Sequence, residues 1–170
     1  GKNMYPELVR LAQRYADIEA CIPSVGAAYE LLKESFRRGG KLLICGNGGS
    51  AADSDHIVGE LMKSFELKRP INPDLHQRLT QIDPDRGAYL AENLQMGLPA
   101  ISLSSHAALS TAISNDVAGD MVYAQQVLGY GKAGDVLIGI STSGNSANVL
   151  NALHVAQALD VKTIGLTGYS

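Results

Sequence analysis

The sequence holds only two cysteines, Cys21 and Cys45, too few for a disulfide framework and without metal-ligand spacing. That usage fits a reducing cytoplasm. No apolar stretch approaches the roughly 20 residues of a membrane-spanning helix, and the N-terminus shows no secretory hydrophobic segment. Surplus positive charge is missing as well, since 14 Lys and Arg stand against 17 Asp and Glu, for a net charge of -3. Such a chain offers no broad basic surface, which argues against nucleic acid as its partner. Charged residues make up 18% and apolar residues 45%, near the globular averages, which excludes disorder. A length of 170 residues suits one domain with a real core.

What the chain does have is glycine, 18 residues of it, partly clustered where strands meet helices. Leu8, Leu11, Tyr15, Ile18 and Ile22, then Val25, Tyr29, Leu32 and Phe36, recur at three- and four-residue steps. They predict two amphipathic helices between Glu7 and Arg38, broken near Pro23. Gly39-Gly40 ends the second and releases Lys41–Cys45, an apolar run suited to a buried parallel strand. Gly46-Asn-Gly-Gly-Ser50 follows, then a helical pattern from Ala51 to about Phe65. Residues 66–97 carry Pro70, Pro73 and Pro84 and read as a long insertion with one short helix around Arg86–Leu94.

Pro99–Leu103 resumes the sheet pattern, with helices over Ala107–Ser114 and Met121–Tyr130. Asp135–Ile140 is the clearest strand, followed by Ser141-Thr-Ser-Gly-Asn-Ser146, a helix over Ala147–Leu159 and a last strand at Lys162–Leu166. This alternation predicts a three-layer α/β/α sandwich around a parallel sheet, preceded by N-terminal helices.

Both polar loops fall between a strand and a helix, where open parallel sheets bind ligands. Unpaired N–H groups and the positive end of a helix dipole favour an anion there. Glycines in 46–50 let backbone approach a ligand, and Ser50 can cap the helix behind it. In 141–146, four hydroxyls and the Asn145 amide converge without a lysine, which suits a monophosphate ester. Neither a P-loop signature nor a G-x-G-x-x-G dinucleotide fingerprint is present. Read separately, each loop is also an ordinary turn with good caps; two at equivalent places favour a ligand.

Asp53, His56 and Glu60 share one face of the helix after the first loop. A carboxylate near a sugar phosphate is a natural base for moving a proton between adjacent carbons. His56 and Glu60, four residues apart, also have the spacing to share a divalent metal, or they are merely exposed.

C-G-N-G-G-S-A-A-D-x-x-H-x-x-x-E at 45–60 and G-I-S-T-S-G-N-S-x-N-V at 139–149 strongly resemble the sugar isomerase (SIS) domain family. Within it they are most similar to the bacterial phosphoheptose isomerases, and A-I-S-N-D at 112–116 and L-T-G at 166–168 match further family segments. The resemblance spans the chain apart from 66–97 and implies a flavodoxin-like SIS domain over 1–170. It implies that Ser141, Thr142, Ser143 and Ser146 hold a sugar phosphate, that Asn47, Gly48 and Ser50 line the sugar, and that Asp116 contacts hydroxyls. Glu60 would be one of two acid–base groups in an aldose–ketose isomerisation through an enediol, interconverting sedoheptulose 7-phosphate and glycero-manno-heptose 7-phosphate.

His56 and Glu60 would supply two ligands of the zinc seen in some members, and the family is typically a homotetramer built on its N-terminal helices. Its second catalytic group is a histidine in a C-terminal helix, expected past Ser170; His76, His106 and His154 do not match it. The alternative is a non-catalytic phosphosugar sensor, or a scaffold like the replication-initiator-associating members. His76, Arg78 and Arg86 in the insertion read as solvated loop charges with a route to the ligand only if the insertion forms a lid. His106 stands close to the expected cleft.

Overall fold

The apolar run after Gly40 becomes strand β1, Leu42–Gly46, buried along its whole length. A strand covered on both faces needs no alternation, which is why its pattern is continuous rather than period-two. The computed structural model describes residues 5–14, 20–64 and 66–168. Around β1 are laid β2 (Ala100–Ser102), β3 (Val136–Ser141) and β4 (Lys162–Thr167), in the order β2-β1-β3-β4 with every pair parallel. Leu42 lies opposite Ala100 on one side and Val136 on the other, and the β1–β3 ladder runs on to Gly46 and Ile140.

Alternate residues of the central strands define two cores. Leu42, Ile44, Val136 and Ile138 meet Leu32 and Phe36 of α2 (Ile22–Arg37) and Ile57, Val58 and Leu61 of α3 (Gly49–Met62). Leu43, Cys45 and Leu137 meet Ile113 of α6 (Ala107–Asp116), Val122 and Val127 of α7 (Val122–Tyr130), and Val149, Ala152 and Ala156 of α8 (Ala147–Ala158). Helices therefore cover both faces of a parallel sheet, the three-layer sandwich that the alternation predicts.

The rim of the sheet opposite the polar loops is closed by Asp135, whose side chain is 4% exposed. Its carboxylate accepts from the backbone N of Lys41 at 3.0 Å, from Lys41 Nζ at 2.5 Å and from the backbone N of Lys132 at 2.8 Å. One buried carboxylate thus ties the entrances of β1 and β3.

The two N-terminal helices are present as expected, with the break just before Pro23: α1 (Pro6–Arg14) is followed by α2, whose first turn holds Pro23. One stretch differs from expectation. Residues 66–97 hold two helices, not one: α4 (Pro73–Ile82) and α5 (Pro84–Asn93). Proline has no N–H to lose in a first turn, so each proline opens a helix here. Asn72 and Asp83 cap them, accepting from Leu75 N at 2.7 Å and Arg86 N at 2.8 Å. The two helices pack closely where Gly87 meets the backbone of Leu79, a contact with no space for a Cβ. Tyr15, Ile18 and Phe65, used in the helical patterns, lie outside the described residues.

Candidate functional site

From β1 the chain crosses to β2 on one side and then to β3 on the other. The crevice outside the carboxyl ends of β1 and β3 is thus the topological switch point, where ligands enter such sheets. Both polar loops open onto it. Gly48 at φ +56° and Gly144 at φ +70° make the turns, in a backbone region that side chains rarely adopt.

In the loop after β3 the hydroxyls converge. Ser141 Oγ is 2.9 Å from Ser146 Oγ and 3.5 Å from Ser143 Oγ, and Asn145 N donates to Ser143 Oγ at 3.2 Å. Thr142 is exposed beside them, and its carbonyl accepts from Gly168 N at 3.3 Å, which pins the loop to the end of β4. Ser146 occupies the N-cap of α8 but makes no cap bond, and Gly48 at the N-cap of α3 makes none. Asn72, Asp83 and His106 cap α4, α5 and α6, while α2 and α7 also start without a side-chain cap. What sets the start of α8 apart is the cluster of hydroxyls beside its open first-turn N–H groups, a combination chemically suited to an anion.

Side chains join the two loops. Asn47 Nδ2 donates to Asn148 Oδ1 at 2.9 Å, and Asn148 Nδ2 donates to Asn47 Oδ1 at 2.9 Å. Tyr123 reaches in from α7, donating its hydroxyl to the Gly46 carbonyl at 2.6 Å and lying 3.1 Å from Asn47 Oδ1. Burial first, then the neighbouring Cys45 and Asp55, raise the Tyr123 pKa, so the phenol keeps its proton. Ser50 does not cap α3. It lies inside the helix, buried, with its carbonyl accepting from Ser54 Oγ at 2.7 Å.

Asp53, His56 and Glu60 do share a face of α3, the exposed one, because Ile57, Val58 and Leu61 turn to the sheet. His56 Nε2 is 3.8 Å from Glu60 Oε1, with side chains 78% and 41% exposed. Among the described residues no hydrogen bond or ion pair joins Glu60 to either loop, and no three His, Cys, Asp or Glu side chains gather where a metal could sit. Two ligands fall short of the three or four that protein zinc sites supply, so these residues do not by themselves fit the ion.

Asp116 is exposed at the end of α6 and accepts from Asn115 Nδ2 at 2.9 Å. His76, Arg78 and Arg86 belong to the α4–α5 hairpin, where Arg78 Nη2 pairs with Asp74 Oδ2 at 3.0 Å.

Sequence reasoning passed over Asp55. Its Oδ1 accepts from Ser102 Oγ at 2.5 Å and Ser105 Oγ at 2.5 Å, with Ser104 Oγ at 3.5 Å, clamping α3 to the loop after β2. A cavity of about 430 Å³ opens alongside, lined by Ser102, Ser105, His106, Gln126 and Tyr130. The signal was the hydroxyl run at 102–105 after a strand end. The Ser102 bond above all, then that of Ser105, lowers the Asp55 pKa below its ordinary 3.8.

A depressed carboxyl stabilises the fold in full above the ordinary carboxylate range and loses that contribution as pH falls through the folded value. Asp55→Ala should therefore cost about 1 kcal/mol near neutrality, after discounting for solvent exposure. The melting-temperature gap to wild type should narrow progressively as pH falls below the ordinary 3.8 of a carboxyl. A gap that stays constant through acid titration would show that packing rather than charge explains it.

The fold agrees with that of known proteins. The SIS domain family matches the chain over residues 10–86 and 84–168. The chain belongs to this family. It is 42% identical over 153 residues to the phosphoheptose isomerase of Roseiflexus sp. (strain RS-1), covering 90% of this chain and 64% of that protein. With the phosphoheptose isomerase of Trichlorobacter lovleyi the identity is 38% over 168 residues, or 99% of this chain and 71% of that one. The structure of a phosphoheptose isomerase from Neisseria gonorrhoeae superposes with a TM-score of 0.68 at 36% identity, covering 98% of this chain and 72% of that chain. One from Francisella tularensis gives 0.69 at 30% identity, covering 96% and 76%. This SIS chain spans 64% of the length of the Roseiflexus and Thiobacillus denitrificans relatives.

Proposed function

We propose that the protein is an aldose–ketose isomerase of phosphorylated sugars, interconverting sedoheptulose 7-phosphate and glycero-manno-heptose 7-phosphate. The observation that carries this reading is the pair of uncapped helix starts flanking the hydroxyls of Ser141 and Ser146 at the switch point. Ser141, Thr142, Ser143 and Ser146, with the first turn of α8, take the phosphate. Asn47, Gly48, Ser50 and Asp116 line the sugar. Glu60, whose ion-pair partner is His56, removes the proton from the carbon next to the carbonyl while the carbonyl oxygen takes up a proton, giving the enediol. Glu60, its proton exchanged with solvent, then protonates the neighbouring carbon as the first carbon gives up its hydroxyl proton and becomes the new carbonyl. Phosphate binding holds the reacting carbons in place, so the anchor contributes to rate as well as affinity.

The reading takes 1–170 as one SIS domain, with N-terminal helices over 1–38 and an insertion at 66–97. His56 and Glu60 would supply only two ligands to a zinc ion, short of a site among the described residues, and the proton transfer described here does not pass through one. A cytoplasmic homotetramer is part of the same reading. It is supported by two free thiols, by the exposed apolar Val25 and Tyr29 of α2 and Ile82 and Tyr89 of the hairpin, and by the absence, among the described residues, of any helix long and apolar enough to cross a membrane.

The test is incubation with sedoheptulose 7-phosphate in deuterium oxide, with light scattering on the same preparation to read the mass of four chains. A new aldose phosphate carrying carbon-bound deuterium is expected. Binding of the phosphosugar without exchange would transfer the assignment to a sensor.

A further inference from the structure

Two loops acting on one ligand need a fixed separation, and the backbone sets it only part of the way. The β1–β3 ladder ends at Gly46 and Ile140, so the residues that would touch a ligand lie beyond it. Past that point the connection is made by side chains. Asn47 and Asn148 exchange two amide hydrogen bonds, each 2.9 Å, so each group uses a donor and the acceptor on the other. That reciprocity fixes which way both amides face, because flipping either one would set like against like. Asn148 lies in the first turn of α8, two residues past Ser146, and therefore on the element that presents the open N–H groups. The same end of the loop after β1 is also held by Tyr123, itself 6% exposed, through the Gly46 carbonyl at 2.6 Å and Asn47 Oδ1 at 3.1 Å. The Asn47 side chain is thus occupied within the protein before any ligand arrives.

We propose that Asn148 is a positioning residue: through its reciprocal amide pair with Asn47 it couples the anion loop after β3 to the sugar loop after β1. Filling the anion site then orders the far loop as well as the near one. The inference rests on the reading of Ser141–Ser146 as the phosphate anchor and deepens it. Asn148→Ala keeps every hydroxyl of the anchor and the helix start behind it. It therefore leaves phosphate binding in place while removing the register between the loops.

The experiment is a titration of the protein with inorganic phosphate, followed by the backbone amide resonances of Gly144 in the near loop and Gly48 and Gly49 in the far one. In wild type all three move with one dissociation constant. In Asn148→Ala, Gly144 moves with a constant within about two-fold of wild type, while the response of Gly48 and Gly49 is lost. Asn148→Ser, a residue at home in a first helical turn, repeats the measurement should alanine impair folding. With phosphosugar as substrate, kcat per folded chain falls about ten-fold and KM stays near wild type; the folded fraction is counted from the intensity of the Gly144 amide signal, because unfolded chains alone would also lower the apparent kcat at constant KM. Gly48 and Gly49 following phosphate in both variants as in wild type would overturn the proposal and leave the anchor standing. Tighter substrate binding in Asn148→Ala would also overturn it, since Asn47 would then be better employed on the sugar. No response of Gly144 in wild type would overturn the anchor and the coupling with it.

Discussion

Glu60→Gln should lower kcat for sedoheptulose 7-phosphate by about a thousand-fold, within the range that a positioned acid–base group contributes. The amide keeps the size and the hydrogen-bonding reach of the carboxylate but cannot take a proton. Because Glu60 is 41% exposed and its ion-pair partner His56 lies 3.8 Å away, the substitution removes little that the fold depends on. Stability should stay within about 0.5 kcal/mol of wild type, as for most surface changes. Phosphate affinity should not change, since the anchor lies on the loop after β3. Carbon-bound deuterium uptake, melting temperature and phosphate titration together decide the point. Retained exchange would remove Glu60 from the chemistry, whereas lost phosphate binding would mean that the loops and α3 are less independent than their contacts indicate.

The largest loss of stability is expected at the opposite rim. Asp135 accepts three hydrogen bonds, two from backbone N–H groups and one from Lys41 Nζ at 2.5 Å. Asp135→Ala leaves those donors facing a half-buried space, together with an ammonium whose side chain is only 21% exposed. Removing one partner of a buried pair costs about 3–5 kcal/mol. In a chain of this size that is a fall of roughly 6–20 °C in melting temperature. The same variant should bind phosphate at the folded temperature as wild type does, because the rim and the crevice are at opposite ends of the strands. Thermal melts with and without phosphate separate the two effects. A fall under 2 °C would show that solvent already satisfies Lys41.

Much of this architecture was legible in sequence because the signals were local. Continuous apolar runs at Leu42–Gly46 and Val136–Ser141 can only be strands covered on both faces, and polar loops followed by helices then fix the crevice. Proline marked a helix start correctly near Pro23 but misled at Pro73, because the residue disfavours a helix interior and favours a first turn, and spacing alone does not say which applies. Ser50 looked like a cap because serine usually is one; the helix began one residue earlier, at Gly49 with Gly48 at its cap position, and drew Ser50 inside. Asp55 and Asn148 escaped for another reason. Their partners, Ser102 and Asn47, lie 47 and 101 positions away, a distance that only the folded sheet closes.

Cys45, in the buried core against α8, immediately precedes the crevice loop, and burial pushes its thiol up to about 12. On the proposed isomerase reading, an aldose in the crevice would present an electrophilic carbonyl, to which a thiolate would add as a hemithioacetal. With the sulfur protonated and sealed inside the strand, that trapping reaction would have no nucleophile. The burial that makes β1 a good central strand would then also keep a reactive sulfur away from an aldehyde-bearing ligand.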